Sequence, residues 1–467
     1  MTPCTFRSRL GLVAAAALLS GLPLYPQQAS MPGMNMSDMS PSMPQMPGMR
    51  MQPKDLISAQ LNHMSSGTTV EPASTPMYML MGMRHGWTGM LHGEAFVTDL
   101  QQFAAQTPQG RRGGDKLFST NWIMPMAMRR VGPGQLTLRT MLSLEPATIT
   151  SRRYPLLFQQ GETAFGAPIV DGQHPHNFFM ELAALYDIRL GEHSLLSFYA
   201  APIGDPAIGP VAYPHRITAS ENPLAALGHH QEDSTHIAFN VFTAAYTWRW
   251  ARLELSGFHG GEPSEQRWGF QPSPNGLAVD SYSARLTISP NTNWTGQYSI
   301  ARIASPEALY PHEDQQRQTA SLMYNHPLGT RDANGLTTGN WSNTLVWGRT
   351  RSITNSPDEH KVNSYLAESL LRLSRRNYVW TRIENVGRTN ELLLQPGAPL
   401  PAGFEEDPIG HVQAYSFGYD RDLPIARHLV AAPGAQFTTY TTPDALQSTY
   451  GHHPWGVAMF VRFRLQP

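Results

Sequence analysis

Thiols are almost missing from this chain: Cys4 is the one cysteine in 467 residues, and it lies ahead of an apolar run. If that run is removed, the mature protein has neither a disulfide nor a thiolate metal centre. An excess of charge is missing as well. Lys and Arg number 34 against 35 for Asp and Glu, which excludes a nucleic-acid surface and a polybasic membrane patch. No later segment approaches the roughly 20 apolar residues of a spanning helix. Nothing in the body reads as a capped amphipathic helix of useful length. A membrane location, if there is one, therefore requires strands.

The N-terminus has the pattern of a secretory signal, with Arg7 and Arg9 ahead of the apolar stretch Leu10 to Leu22. Residues 1–29 are expected to be this signal, cleaved between Ser20 and Ser30, and the protein to be exported.

From about Gly89 onward the dominant pattern is period-two alternation in segments of about ten residues. Leu253 and Leu255 alternate with Arg252, Glu254 and Ser256. Tyr282, Ala284, Leu286 and Ile288 alternate with Ser283, Arg285 and Thr287, and Val457, Met459, Val461 and Phe463 with Ala458, Phe460, Arg462 and Arg464. The polar face carries both signs of charge, which suits a wet lumen better than the core of a sandwich. Trp248, Trp250, Trp294, Trp341, Trp347, Tyr378, Trp380 and Trp455 fall near strand ends, as an interfacial girdle would require. Short turns, such as those near Val131 to Gly134 and Ser374 to Arg376, alternate with long connections. The expectation is an all-β chain: a transmembrane antiparallel β-barrel of about 16 strands spanning residues 77–467, placed in the outer membrane of a Gram-negative bacterium and in contact with its lipid. The even count requires that Met77 to Met83 is not a barrel strand. Long external loops are expected at 145–177 and 203–235, projecting outward or folding inward to constrict the lumen.

Between Met31 and Met51 lie eight methionines, at 31, 34, 36, 39, 43, 46, 49 and 51: Met31, Met34, Met36, Met39, Met43, Met46, Met49 and Met51. The intervening Pro, Gly, Ser and Gln cannot build a core, so residues 30–76 are expected to be a disordered, periplasmic Met-rich segment. Soft thioethers select Cu(I) or Ag(I). Met77, Met79, Met81, Met83 and His85 would share one face of an extended strand, and Met124, Met126 and Met128 form a shorter alternation. Such rows serve as packing filler or as ligands. The tract resembles the Met-rich N-terminal segments of exported copper-resistance proteins, notably copper resistance protein B, in which an outer-membrane barrel follows the segment. The body, from Asp115-Lys116-Leu117-Phe118 through the histidine motifs to Ser305-Pro306-Glu307, resembles an uncharacterised family of Gram-negative envelope proteins.

Eight of the eighteen histidines lie between His174 and His259. Asp171-Gly-Gln-His174-Pro-His176-Asn177 carries two, with a proline that holds the backbone extended. His215, His229, His230 and His236 follow, the last beside Asp233. Loop histidines at this density suggest Cu(II) or Zn(II) ligation; the plainer reading is local hydrogen bonding within each turn. Convergence would require donor atoms from both loops within about 4 Å of each other. Three functions compete. The first is binding, passage or tolerance of copper or silver, with metal ions and periplasmic copper-handling proteins as partners. The second is a general porin or small-solute channel. The third is an outer-membrane hydrolase, for which Ser234 with Asp233 and His236 is the nearest constellation; adjacency in sequence is not a triad, and no enzymatic role is expected.

Overall fold

A computed structural model describes residues 52–63, 65–107, 110–233, 238–270, 278–332, 336–353 and 360–467. The expected signal, the methionine tract at 31–51, Ser234 and His236 lie outside these residues.

One sheet of eighteen strands dominates; two of them, Leu80–Arg84 and Leu423–Ala426, are short hairpin arms, and the other sixteen form a closed antiparallel barrel. Closure comes from Trp87–Phe103, which pairs on one side with Asp115–Val131 and on the other with the last strand, Trp455–Leu465. Every barrel strand then has two neighbours and no edge is left to pair with another chain. The arm Leu80–Arg84 folds back on Trp87–Leu91 through a turn at His85 and Gly86, whose φ values of 50° and 78° are those of a tight hairpin.

The alternation has the polarity of a membrane barrel. Leu253, Leu255, Leu286, Leu345, Phe417 and Met459 face outward and are exposed, whereas Arg252, Glu254, Arg285, Glu368, Arg382 and Arg462 on the opposite parity are buried. An apolar exterior around a charged interior is stable in lipid and would aggregate in water. Five of the expected girdle residues, Trp248, Trp250, Trp294, Trp341 and Trp455, are exposed. Tyr378 and Trp380 are not girdle residues: they share the parity of Arg382 and Glu384 and pack in the lumen against Phe96, Leu370 and Phe460.

The lumen is filled. Its charges are compensated in groups: Arg139 with Glu181 at 2.6 Å, Arg285 with Glu254 at 2.7 Å, and Arg216 and Arg382 each 2.8 Å from Glu368. Residues 52–76, expected to be disordered, are instead ordered inside the barrel. Asp55 caps the helix Leu56–Asn62, accepting from Ser58 N, and Leu56 and Ile57 are buried. Beyond the helix, His63 Nε2 lies 2.6 Å from Asp187, Gly67 N donates to Glu181, Arg285 donates to Thr68 Oγ1, and Asn325 donates to Ser74 Oγ. Gly67 has φ 58°, and a Cβ there would stand 2.5 Å from that of Asp205, so no larger residue fits this passage. The methionine row of 77–83 is broken: Met79 is buried in the lumen, while Met81 and Met83 on the hairpin arm are exposed.

The two longest connections, 143–178 and, in its described part, 205–233, also turn inward. Their Tyr154, Leu157, Phe158 and Leu227 join Tyr440 and Tyr450 in one apolar cluster against the wall.

Candidate metal centre

Each long loop is fixed by a buried charged residue. In the first, Asp171, with φ 56°, accepts from Phe158 N at 2.8 Å, from Tyr450 OH at 3.0 Å and from Arg112 at 3.3 Å. Burial pushes its carboxyl up to about 6, against the pull of Arg112. In the second, Arg216 donates to Val211 O, to Asp233 at 2.9 Å and to Glu368 at 2.8 Å. Asp171 and Asp233 thus serve loop architecture through cations and backbone, and Asp233, an expected metal ligand, also has its Oδ1 4.0 Å from His229 Nδ1. Asp233 also accepts from Tyr213 N at 3.0 Å.

What these anchors hold in place is a group of three imidazoles. His229–Glu232 forms a single helical turn, which sets His229 and His230 side by side with ring centroids 4.1 Å apart. Gly228 ahead of them is required by packing, since a Cβ would meet Glu232 Oε1 at 2.6 Å and the Ser364 side chain at 3.0 Å. From the other loop, His174 brings its ring to 5.7 Å from His230 and 6.3 Å from His229. One donor nitrogen from each of the three lies within 4.8 Å of the others. A tetrahedral ion with bonds of about 2.0–2.1 Å needs donors about 3.4 Å apart, so side-chain rotation has at most about an ångström and a half to close.

The surroundings orient the rings. His174 Nδ1 is 3.0 Å from Pro175 O, which leaves Nε2 toward the centre and 3.1 Å from Glu162 Oε1. His229 Nε2 is 2.9 Å from Gln173 Oε1, and its Nδ1 lies 4.0 Å from Asp233 Oδ1. Histidines that bind metal commonly hold their second nitrogen in this way. Burial alone would raise the Glu162 carboxyl, but His174 and Arg267 hold it far below the usual carboxylate range. Burial pushes His230 down to about 3, so its ring is neutral at physiological pH.

The remaining expected ligands go elsewhere. His176 is a latch: its N and Nδ1 both face Glu145 Oε2, at 2.7 and 2.9 Å, and Nε2 is 3.2 Å from Tyr213 OH on the second loop. His215 lies against Trp122, with Nε2 3.0 Å from Met141 Sδ. The six-histidine site of the sequence reading therefore resolves into three converging rings, one latch, one imidazole on a methionine wall and one residue, His236, outside the described part. Sequence reasoning missed Glu162 and Gln173. Gln173 adjoins His174, but nothing in the spacing marks Glu162.

A cavity of about 240 Å³ opens beside His230 and is bordered by Glu262, Glu307, Glu313, Glu406, Arg317 and Arg388. Burial and the neighbouring Glu406 charge push the Glu307 carboxyl up to about 8, and burial with Glu162 and Glu307 raises Glu262 well above its usual range.

No known family profile and no curated protein sequence matches the chain, so the resemblances to copper resistance protein B and to the envelope family remain likenesses of short motifs. Solved structures that align with it are barrels. The anion-selective porin from Comamonas acidovorans is 10% identical over 81% of this chain and 99% of its own, with TM-score 0.47. Salmonella typhi OmpF in complex with daunomycin is 7% identical over 82% and 100%, with TM-score 0.46. Pseudomonas aeruginosa OccK2 is 11% identical over 80% and 98%, with TM-score 0.37. The strand pairing of the chain itself, not these likenesses, defines it as a sixteen-stranded closed antiparallel barrel.

Proposed function

We propose that this outer-membrane barrel is a narrow, plugged channel that binds transition-metal cations, Cu(II) or Zn(II), at His174, His229 and His230. One observation carries the reading: three imidazoles from two loops remote in sequence, His174 and His229 buried and His230 half-buried, bring one donor nitrogen each within 4.8 Å of the others. Neutral imidazole is the common ligand of both ions, and the Glu162 carboxylate supplies a fourth donor and charge compensation. The acidic cavity beside His230 would gather cations ahead of this centre once Glu307 ionises, above about pH 8. The methionine tract at 31–51, if exposed to the periplasm, would add a Cu(I) or Ag(I) collector and a contact for periplasmic copper-handling proteins.

The test is equilibrium binding on the detergent-purified full chain. Stoichiometric Zn(II) or Cu(II) that is lost in His174→Ala and His229→Ala, with barrel assembly intact, supports the reading. Equal metal content in wild type and both variants removes it. The second reading, a small-solute channel without a metal role, rests on the barrel and its charged interior. It requires an open path past residues 52–79 and the two inward loops, and sugar or ion flux in liposomes distinguishes it.

A further inference from the structure

One sector of the lumen wall departs from the rest. Most inward positions of the barrel carry Arg, Glu, Ser, Thr or Gln, yet on the strands Trp87–Phe103, Asp115–Val131, Gly134–Leu142 and Phe179–Arg189 a group of neighbouring ones carries Met90, Met124, Met126, Met141 and Met180, alongside Glu94, Arg139 and Glu181. All five methionines are buried, and Met79 of the lumenal segment lies on them. Strand register makes this a continuous surface: Met90 is opposite Met126, His92 is opposite Met124, and the pairing of Ile123 with Leu142 sets Met124 beside Met141. His215 completes it from the second loop, its Nε2 3.0 Å from Met141 Sδ and its ring 4.3 Å from that of Trp122. A cavity of about 100 Å³ bordered by Met77, His92, Trp122 and His215 gives access. That is several times the volume needed to admit a water.

Packing alone accounts poorly for this choice. The barrel uses Leu, Ile and Val freely on its outer face, and any of them would fill an apolar inner sector with less loss of side-chain freedom than methionine. A thioether is also a weak hydrogen-bond acceptor, so pairing it with a half-buried imidazole gains little as a hydrogen bond. As a donor set for a metal the same atoms are well matched: uncharged thioethers with one imidazole suit a soft monovalent ion and disfavour hard divalent ones. With bonds of about 2.1 Å to nitrogen and 2.3 Å to sulfur, an ion between them needs the donors about 3.5–4 Å apart, a small movement for a side chain with three rotatable bonds.

We infer that this wall binds Cu(I) or Ag(I), held by Met141 Sδ and His215 Nε2 with Met124 as the adjacent thioether. The site is separate from the three-histidine centre and takes a different class of ion, so either can fail without the other.

Ag(I), which needs no reductant, is the probe. The full chain, with the eight methionines of the 31–51 tract replaced by leucine, is labelled with ¹³C at the methionine methyls and titrated in detergent. The Met141 and Met124 methyl signals should shift and saturate at about one equivalent. Met141→Leu and His215→Phe should each weaken Ag(I) binding at least tenfold, while His174→Ala leaves it unchanged and Zn(II) binding follows the opposite pattern. Methyl signals that do not respond to Ag(I), or unchanged affinity in Met141→Leu, overturn the proposal. Leucine conserves volume and apolarity, so that variant folds even if His215→Phe does not.

Discussion

Two walls of one lumen are furnished with different chemistry. Against the strands Asp314–Arg331, Thr337–Ile353 and Lys361–Leu373 the inward loops present imidazoles and carboxylates, with the turn His229–Glu232 packed on all three. Across the barrel, on Trp87–Phe103 to Phe179–Arg189, the wall itself presents thioethers. Both lie on a frame whose other inward residues are small polar side chains and ion pairs such as Arg285 with Glu254. The difference lies in how each set is positioned. The methionines stand on paired strands and need only the ladder, whereas the imidazoles stand on loops and depend on the few charged residues that pull those loops inward.

Arg216 is therefore the most consequential single residue on the imidazole side. It is fully buried between Glu368 and Asp233, and removing the cation leaves Asp233 without its guanidinium and Glu368 with Arg382 alone, a cost of about 3–5 kcal/mol. Arg216→Met should release the loop 205–233 without opening the barrel, since the strand ladder is untouched. Rapid proteolysis within that loop, loss of Zn(II) binding and retained heat-modifiable mobility are the expected results. A loop as resistant as in the wild type would mean that the apolar cluster around Phe158 and Leu227 suffices to hold it.

The next effect separates histidines that the sequence presents as equivalent. His174→Ala should weaken Zn(II) by more than about a hundredfold, the upper range for loss of an outer-sphere partner. His176→Phe should leave Zn(II) affinity nearly unchanged, because that ring is occupied by Glu145 and Tyr213. Isothermal titration of the two variants decides the matter, and a reversed order would make His176 the ligand and His174 the latch.

Legibility followed the same division. The barrel, its strand number and the inward charges were readable because a period of two fixes which face each residue takes, and an even strand count excluded Met77 to Met83 from the ring. Tyr378 and Trp380 were misplaced only where proximity to a strand end was given weight over parity. Residues 52–76 were unreadable for a physical reason: a polar, Pro- and Gly-containing stretch builds no core of its own, and its order comes from Asp187, Glu181, Arg139 and Arg285, wall residues far away in sequence. The histidine concentration showed that two loops mattered, but not which rings meet. That depends on the latch at His176 and on the single turn at His229. The methionine wall was visible in fragments, as Met124, Met126 and Met128, while its joining to Met90, Met141 and Met180 required the register.

Gln173 gives a smaller test of how firmly the imidazole side is oriented. Its Oε1 holds His229 Nε2 at 2.9 Å, so Gln173→Ala should cost about ten- to a hundredfold in Zn(II) affinity through misorientation of that ring. Ag(I) binding on the methionine wall should not respond. A loss of both would show that the two walls are mechanically joined.

The smallest expected effect concerns the acidic cavity. Below about pH 8 the Glu307 carboxyl holds its proton, because burial and the Glu406 charge oppose ionisation, and Glu262 is raised further still. The guanidinium groups of Arg317 and Arg388 then face largely neutral carboxyls, and the cavity has little attraction for a cation. As the pH rises through 8, Glu307 takes up its negative charge. The ionised fraction of one group with a pKa of about 8 grows about tenfold between pH 7 and pH 9. Ca(II) is a suitable probe, since a hard ion prefers oxygen donors and leaves the imidazoles alone. Its affinity for the purified barrel should tighten by up to about that factor over this range, and Glu307→Gln should flatten the dependence. A Ca(II) affinity that stays constant with pH in the wild type, or that still rises in Glu307→Gln, would remove Glu307 as the titrating group and with it the account of how cations collect beside His230.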